Sequence, residues 1–466
     1  MNNKKLGFWL LTALVAGNMV GSAIFMLPQS LSQVGTPAGV LLAWGFTGLG
    51  VLMLAHVFGQ LAERKPDVIG GPPSYARELF NGKSKTGQVS GFLTSWGYWT
   101  SNSPGNAAVL TTLIGYLTYF LPVLHSKEVL FSIGSFDLKT GNLLTFLISS
   151  AVLWSIHFLM FRGTYSTGKI NFVATVAKVL GFIFFIVIVL SVFETKFLHP
   201  FAGTKVLSTG ESIGLVDQMN KGALLTLWAF VGIESAVFLS GRAKNQKDVK
   251  WATLAGLLIS LAIYLLVTFF TMGALPQQEL MQTDKPLVDV LTHIIGDNGS
   301  MIMAFLGVMS MVGASIGWIM LSGEVPYQSA KQNLFPHWFM GENKNGAPVN
   351  ALWITNGLTQ IFLISTLSET ISGSFNMLIT IATLATLVPY LLSALYSLKV
   401  VLKGENYRST DKPIRSFDGF LALLATLYSV WVIKSGLGDL KTFGLGMLLI
   451  FSGIVLAPWL PKHKQQ

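Results

Sequence analysis

Between Leu6 and Ala62 the chain carries no lysine, arginine, aspartate or glutamate. A charge-free run of that length holds two consecutive membrane-crossing helices of about 20 residues each. It is too long for a removable signal peptide and has no small-residue cleavage site. Only 11% of the 466 residues are charged while 52% are hydrophobic, which excludes a soluble enzyme. With no cysteine at all, disulfides and thiolate metal sites are excluded as well.

Apolar runs bounded by charges or Pro/Gly breaks predict about twelve spans, near 6–34, 37–61, 88–121, 140–161, 170–193, 222–241, 251–273, 299–322, 350–367, 374–398, 418–434 and 441–460. With the N-terminus placed inside, 22 of the 31 basic residues fall in inner segments and 8 in outer loops. The positive-inside rule then puts both termini in the cytoplasm, in a multi-pass protein of the cell membrane. The net charge of +10 is therefore topological, and nucleic acid is not an expected partner. The fold class expected is an all-α polytopic membrane protein, a single transmembrane domain over residues 1–466 whose partner surface is the lipid bilayer.

The remaining basic residue is Lys178, in the middle of "NFVATVAKVLGFIFF". A lysine at that depth is costly and faces a polar interior unless it can snorkel. The eight residues back to Ile170 make that escape long.

Two spans carry residues that weaken helices. In "AGNMVGSAIF", Gly17 and Gly21 form a GxxxG pattern, which by itself signals close helix packing. Asn18 and Ser22 lie one turn apart beside them and fit a polar pocket better. A helix can unwind within a membrane only where its freed backbone lines a protein cavity. Transporters built from inverted repeats show a second break at the matching place of the second half. The sixth span, "LLTLWAFVGIESAVFLSG", supplies it: Gly232 interrupts the run and Glu234 and Ser235 follow. The pairing predicts a five-plus-five inverted repeat, with repeat one near 6–193, repeat two near 222–398 and two extra helices near 418–460.

Half-helix N-termini offer free N–H groups to a carboxylate, and half-helix C-termini offer carbonyls to an ammonium or metal cation. Two such breaks together make a receptor for a zwitterion such as an amino acid. They say nothing about its side chain.

"GNMVGSAIFMLP" in the first span resembles a signature of the amino acid–polyamine–organocation superfamily. "WAFVGIESA" in the sixth span, "GGPPSYARELF" after the second and "GWIMLSGEVPYQSAKQNLFP" at the end of the eighth extend the likeness over nearly the whole chain. Within that superfamily the chain is most similar to the basic amino acid/polyamine antiporters. The resemblance implies a carrier, not an enzyme, that exchanges a basic amino acid (arginine, ornithine or lysine class) for a related amino acid or polyamine by alternating access. It implies no cofactor and no metal. Several relatives are dimers, so a homodimer is possible. The alternative is a proton-coupled amino acid symporter of the same fold, with Lys178 as its proton site.

Carried residue by residue, the resemblance makes Asn18, Gly21, Ser22, Ala23 and Ile24 the carboxylate-binding segment. Carbonyls from Trp228 to Gly232 and Ile233 would take the α-amine. Trp228 would close over the substrate. Trp318 would pack on a cationic side chain through its ring face, with no counter-charge needed, and Asn106 would reach the distal part. Ser315 shares the face of Trp318 by its spacing. Tyr98, Glu234 and Tyr390 match gating or coupling positions. Lys178 matches a fifth-span lysine that bridges spans one, five and eight where sodium-coupled relatives hold a sodium ion. Two positions depart from the pattern. Ala23 stands where a glycine is usual and adds a methyl at the carboxylate position, and Gly71-Pro72-Pro73-Ser74 alters the loop expected at the inner gate.

Other signals carry less. Two GxSxG matches, at Gly210–Gly214 and Gly313–Gly317, lack the strand-turn-helix setting of a hydrolase. The seven histidines show no metal-ligand spacing, and His56 and His157 read as interfacial. Glu324, near the inner end of span eight, reads equally as an attractor of cationic substrate or an interfacial acid. Residues Pro286–Ile295 read as a short helix over the outer vestibule.

Overall fold

The computed structural model describes residues 5–134, 136–283, 285–368, 371–436 and 440–455. The first half contains α1 (Phe8–Met19), α2 (Ala23–Val34), α3 (Pro37–Arg64), α4 (Pro72–Leu79), α5 (Lys85–Leu117), α6 (Thr140–Met160) and α7 (Thr164–Val189). The second half contains α8 (Leu215–Phe230), α9 (Ser235–Phe238), α10 (Gln246–Met272), α11 (Gln277–Gln282), α12 (Pro286–Lys331), α13 (Val349–Leu363) and α14 (Ile371–Lys403). Helices α15 (Lys412–Gly436) and α16 (Leu440–Ser452) follow. Among the described residues, sheet is confined to two small antiparallel pairs in loops, Val129–Ile133 with Phe136–Lys139 and Lys205–Val206 with Ser212–Ile213.

Local sequence explains where the long helices begin. The Ser84 hydroxyl accepts from Gly87 N at 2.9 Å at the head of α5, and Asn245 accepts from Asp248 N at 2.7 Å at the head of α10. Each satisfies one of the N–H groups that a helix start leaves without an internal partner. Helix α3 starts with Pro37 at its first position, where a missing N–H costs nothing.

Among the described residues, nine helical segments are long and apolar enough to cross a membrane, the first (Phe8–Val34) and the sixth expected span (Leu215–Arg242) among them. The three other expected spans are helical over most of their described residues. Helix α5 is long, but its middle is rich in Ser, Thr, Gly and Asn. Helices α13 and α16 are short, at 15 and 13 residues. The protein is a polytopic helical membrane protein, and its first and sixth spans are each interrupted midway.

Those two broken spans occupy the centre. Helix α1 packs on α7 and α10, and α12 lies against α5 and α7. Small residues permit the close approach. A Cβ on Gly256 of α10 would collide with Val15 of α1, and one on Gly313 of α12 with Ala174 of α7. On the face that carries the N-terminus, Leu6 N donates to Arg242 O and Lys244 N to Leu6 O, both at 2.8 Å. The start of the first span is thereby tied to the end of the sixth. The expected helix at Pro286–Ile295 is present, since the backbone of α12 leaves helical geometry at Ile295 and Gly296.

Candidate functional site

Helix α1 stops at Met19 because Val20 turns out of helical geometry (φ −73°, ψ 63°), and α2 restarts at Ala23. At the second break α8 stops at Phe230, Val231 is extended, and Gly232 takes φ +108°, a conformation that favours glycine. Helix α9 then resumes at Ser235. The two breaks touch: Asn18 Nδ2 donates to Ser235 Oγ at 2.8 Å, and a Cβ on Gly232 would stand 3.0 Å from the Asn18 Cβ.

Freed backbone groups at the first break are met by side chains of other spans. Lys178 Nζ donates to Gly17 O at 3.0 Å and to Val20 O at 2.6 Å. Trp318 Nε1 donates to Asn18 O at 2.8 Å. One turn before Lys178 on α7, Thr175 Oγ1 donates to Ala13 O at 3.2 Å. An ammonium thus caps the carbonyl end of α1, where the helix dipole favours positive charge. The restart at Ala23 leaves first-turn N–H groups of α2 at the break, the arrangement that suits a carboxylate.

The second break is satisfied mostly within its own chain segment, with one phenol added from α10. Trp228 O accepts from Val231 N, Phe230 O from Ile233 N, and Gly232 O from Ser235 N. Ala229 O accepts from Tyr264 Oη at 2.6 Å. Gly232 O also accepts from Ser235 Oγ at 2.5 Å, whereas the carbonyls of Trp228, Ala229 and Phe230 each keep one lone pair for a further donor.

The expected aromatic residues gather here. Trp228 and Trp318 stack on each other with ring centres 5.5 Å apart and planes 29° apart, and both are buried. Gly105 lies under the pair, where a Cβ would stand 3.2 Å from one indole and 3.3 Å from the other. Asn106, the next residue, donates to Ser322 Oγ at 3.0 Å, while its Oδ1 is buried with no partner. Ser315 is buried nearby, but its hydroxyl donates back to Met311 O at 2.9 Å within its own helix.

Glu234 lies just beyond the second break, fully buried and held from both sides. Tyr98 Oη donates to Oε1, and Tyr390 Oη donates to Oε2 at 2.5 Å. The structure brings these three expected coupling residues together from α5, the sixth span and α14. Lys178 reaches span one from span five, through the two carbonyls named above. Among the described residues its hydrogen bonds do not extend to span eight, with which it only shares the lining of a cavity of about 40 Å³, beside Phe25 and Ser310.

Of the residues weighed outside the site, Glu324 and His157 depart from the interfacial reading. Glu324 is fully buried, not interfacial, and accepts from Arg242 Nε and Gln328 Nε2, each at 2.6 Å. His157 is also fully buried, with its Nδ1 2.9 Å from Asn356 Nδ2 and its ring against Trp353. His56 is 2.7 Å from Asp418 on α15. Pro72 and Pro73 open α4, which is tied to the residue that ends α12, with Ser74 bonded to Gln332 and Arg77 donating to Gln332 O.

Two asparagines escaped the sequence reading. Both amide atoms of Asn171 are buried without a partner, beside Gly17, Gly317 and Asn18 Oδ1. Both amide atoms of Asn102 are likewise buried and unpaired. The signal was available. Asn171 precedes Lys178 by two helical turns and Asn102 precedes Asn106 by one, so each shares the face of a residue already singled out.

Comparison with known proteins gives one pattern over the full length. The family described as amino acid permease matches residues 6–457. A Bacillus subtilis (strain 168) protein named "Putative arginine/ornithine antiporter" is 51% identical, covering 99% of this chain and 98% of the relative. The arginine/ornithine antiporter of Pseudomonas aeruginosa is 35% identical over 98% of this chain and 90% of its own. One from Lactococcus lactis subsp. cremoris is 32% identical over 92% and 81%.

Proposed function

The chain belongs to the amino acid permease family, and on that premise we propose that it is an antiporter exchanging arginine for ornithine or a related basic amino acid. The observation that carries this is the 51% identity, over nearly both full lengths, to a relative named for that exchange. The meeting of two interrupted helices supports it chemically, because their ends offer opposite partial charges to one zwitterion.

In this reading the N–H groups from Gly21 to Ile24, with Asn18 and Ser22, hold the carboxylate. The carbonyl edge from Trp228 to Ile233 takes the α-amine through its spare lone pairs. The Trp228–Trp318 stack is the closed state of the chamber, and a guanidinium or ammonium enters by parting the two indoles and packing on Trp318 beside Asn106. Ring faces hold such cations with about 0.5–2 kcal/mol each. Ser315 lines the chamber. The Ala23 methyl narrows the carboxylate end, so a decarboxylated polyamine is accepted as counter-substrate. Tyr98, Glu234 and Tyr390 couple helix movement to occupancy, and Lys178 fixes the broken end of α1.

The five-plus-five repeat, the cell-membrane location, the cytoplasmic placement of both termini and a homodimeric assembly belong to the same reading. The basic-residue asymmetry supports the orientation.

Uptake of labelled arginine into proteoliposomes tests the exchange. Uptake is expected with ornithine preloaded and not with empty vesicles. Uptake into empty vesicles driven by an imposed pH gradient overturns antiport in favour of proton symport.

A further inference from the structure

At the end of α12 nearest the N-terminal face, Glu324 lies fully buried beneath Arg242, a half-buried residue at the rim. The guanidinium makes three contacts. Its Nε donates to Glu324 Oε1 at 2.6 Å, its Nη2 donates to Glu342 Oε1 at 3.1 Å, and its Cζ stands 5.2 Å from the Tyr327 ring centre. Gln328 Nε2 donates to the same Glu324 oxygen at 2.6 Å. The second oxygen, Glu324 Oε2, is buried with no partner. A buried carboxylate with an unused oxygen is costly to keep, and a structural pair gains nothing from it.

A carboxylate, an aromatic face and a rim acid around one guanidinium form a cation receptor, here filled by the protein's own arginine. Glu324 follows Trp318 by six residues on the same helix, about 9 Å along its axis. That places the receptor on the way between the stacked indoles and the N-terminal face.

We propose that Glu324, with Tyr327 and Gln328, is a second subsite for the cationic end of a basic amino acid at the N-terminal face, and that Arg242 is its built-in occupant when that face is closed. When the face opens, Arg242 swings out and the substrate guanidinium or ammonium takes its place on Glu324, using the free Oε2 as well. Arg242 therefore competes with substrate at one face of the protein only. The inference rests on the basic-amino-acid reading above.

The test measures half-saturation for arginine separately at each face, in right-side-out and everted membrane vesicles preloaded with ornithine. Wild-type exchange comes first; its absence strikes the parent reading and not this subsite. Given wild-type exchange, Arg242→Gln is expected to lower half-saturation at the N-terminal face several-fold, because the competitor is gone. Glu324→Gln is expected to raise it about tenfold, the size of one charged hydrogen bond. Neither should move half-saturation at the opposite face, which doubles as the check that each variant is folded.

A simple latch behaves otherwise. Breaking it from either side favours the same open state, so both variants would shift in the same direction and the swap Arg242→Glu with Glu324→Arg would restore the wild type. That pattern overturns the subsite. Where Glu324→Gln does not fold, Glu324→Asp and Arg242→Lys serve instead. Each keeps its charge, and the proposal expects both to stay within about threefold of wild type. A shift at both faces, or none with Arg242→Gln, also overturns it.

Discussion

The two interruptions at the centre of this protein use different physics. At residues 20–22 the chain leaves the helix without special backbone demands, and its freed carbonyls are met by Lys178 and Trp318 from two other spans. At residues 231–234 the break is set by one glycine at φ +108°, and the carbonyls are met by the turn's own N–H groups. What arrives there from outside is directed mainly at side chains, the two phenols on Glu234 and the Asn18 amide on Ser235, with Tyr264 alone reaching a carbonyl, that of Ala229. The first break is held open by a distant charge and the second by local backbone geometry. The comparison implies that the first depends on the whole bundle, whereas the second survives loss of any one neighbour.

Removing the distant charge should have the largest effect. Lys178→Met leaves Gly17 O and Val20 O without their donor, at a cost of about 3 kcal/mol. Thermal unfolding in detergent should occur well below wild type, and exchange should be lost. Unchanged unfolding would mean that the first break holds itself.

Glycine substitutions sharpen the contrast. Gly232→Ala puts a Cβ on a backbone at φ +108° and 3.0 Å from the Asn18 Cβ, which should cost about 1–3 kcal/mol. Gly21 has no such backbone demand, and its added Cβ would meet Asn18 O at 3.3 Å. Gly21→Ala should therefore unfold closer to wild type than Gly232→Ala. The reverse order would put the special backbone at the wrong break.

Loss of one phenol should be milder. Tyr390→Phe removes one of two donors to Glu234, worth about 1–2 kcal/mol. The exchange rate should fall severalfold while half-saturation for arginine stays near wild type, because the carboxylate is beside the chamber and not in its wall. A rise in half-saturation with an unchanged rate would instead make Tyr390 a substrate contact.

The smallest expected effect lies away from both breaks and serves as their control. Glu405 lies between α14 and α15, and the Lys65 ammonium at the end of α3, bonded to it, holds that carboxyl below its ordinary 4.5. A depressed folded value gives stability that is present above about pH 4.5 and is lost as pH falls through the folded value. The gap in unfolding temperature between wild type and Lys65→Gln should be small at pH 7 and should close at pH 3. A gap that persists at pH 3 would assign Lys65 a role other than pairing.

Much of the centre was legible in the linear order. Asn18, Gly21 and Ser22 in a charge-free run, and Gly232 before Glu234, marked both breaks, since polar residues beside the glycines fit a pocket better than close packing. The grouping of Tyr98, Glu234 and Tyr390 came from resemblance alone, as nothing in their spacing joins three distant spans. Glu324 stayed open between two readings and His157 misled, because a polar residue near a span end reads as interfacial. Both are buried because Arg242 and Asn356, far along the chain, come to cover or pair with them. Asn102 and Asn171 were missed for a related reason. An amide in a polar stretch is unremarked until its neighbours are known to leave it unpaired.

The sequence alone determined that this chain spans a membrane many times, that two spans break, and which residues lie at the breaks. These follow from hydropathy and backbone freedom, which are local properties. Tertiary structure decided which side chain satisfies which freed carbonyl, that the two indoles stack on each other, and that Arg242 fills the carboxylate at Glu324. Those outcomes depend on contacts between residues scores of positions apart, and only the packed bundle brings such residues within hydrogen-bonding distance.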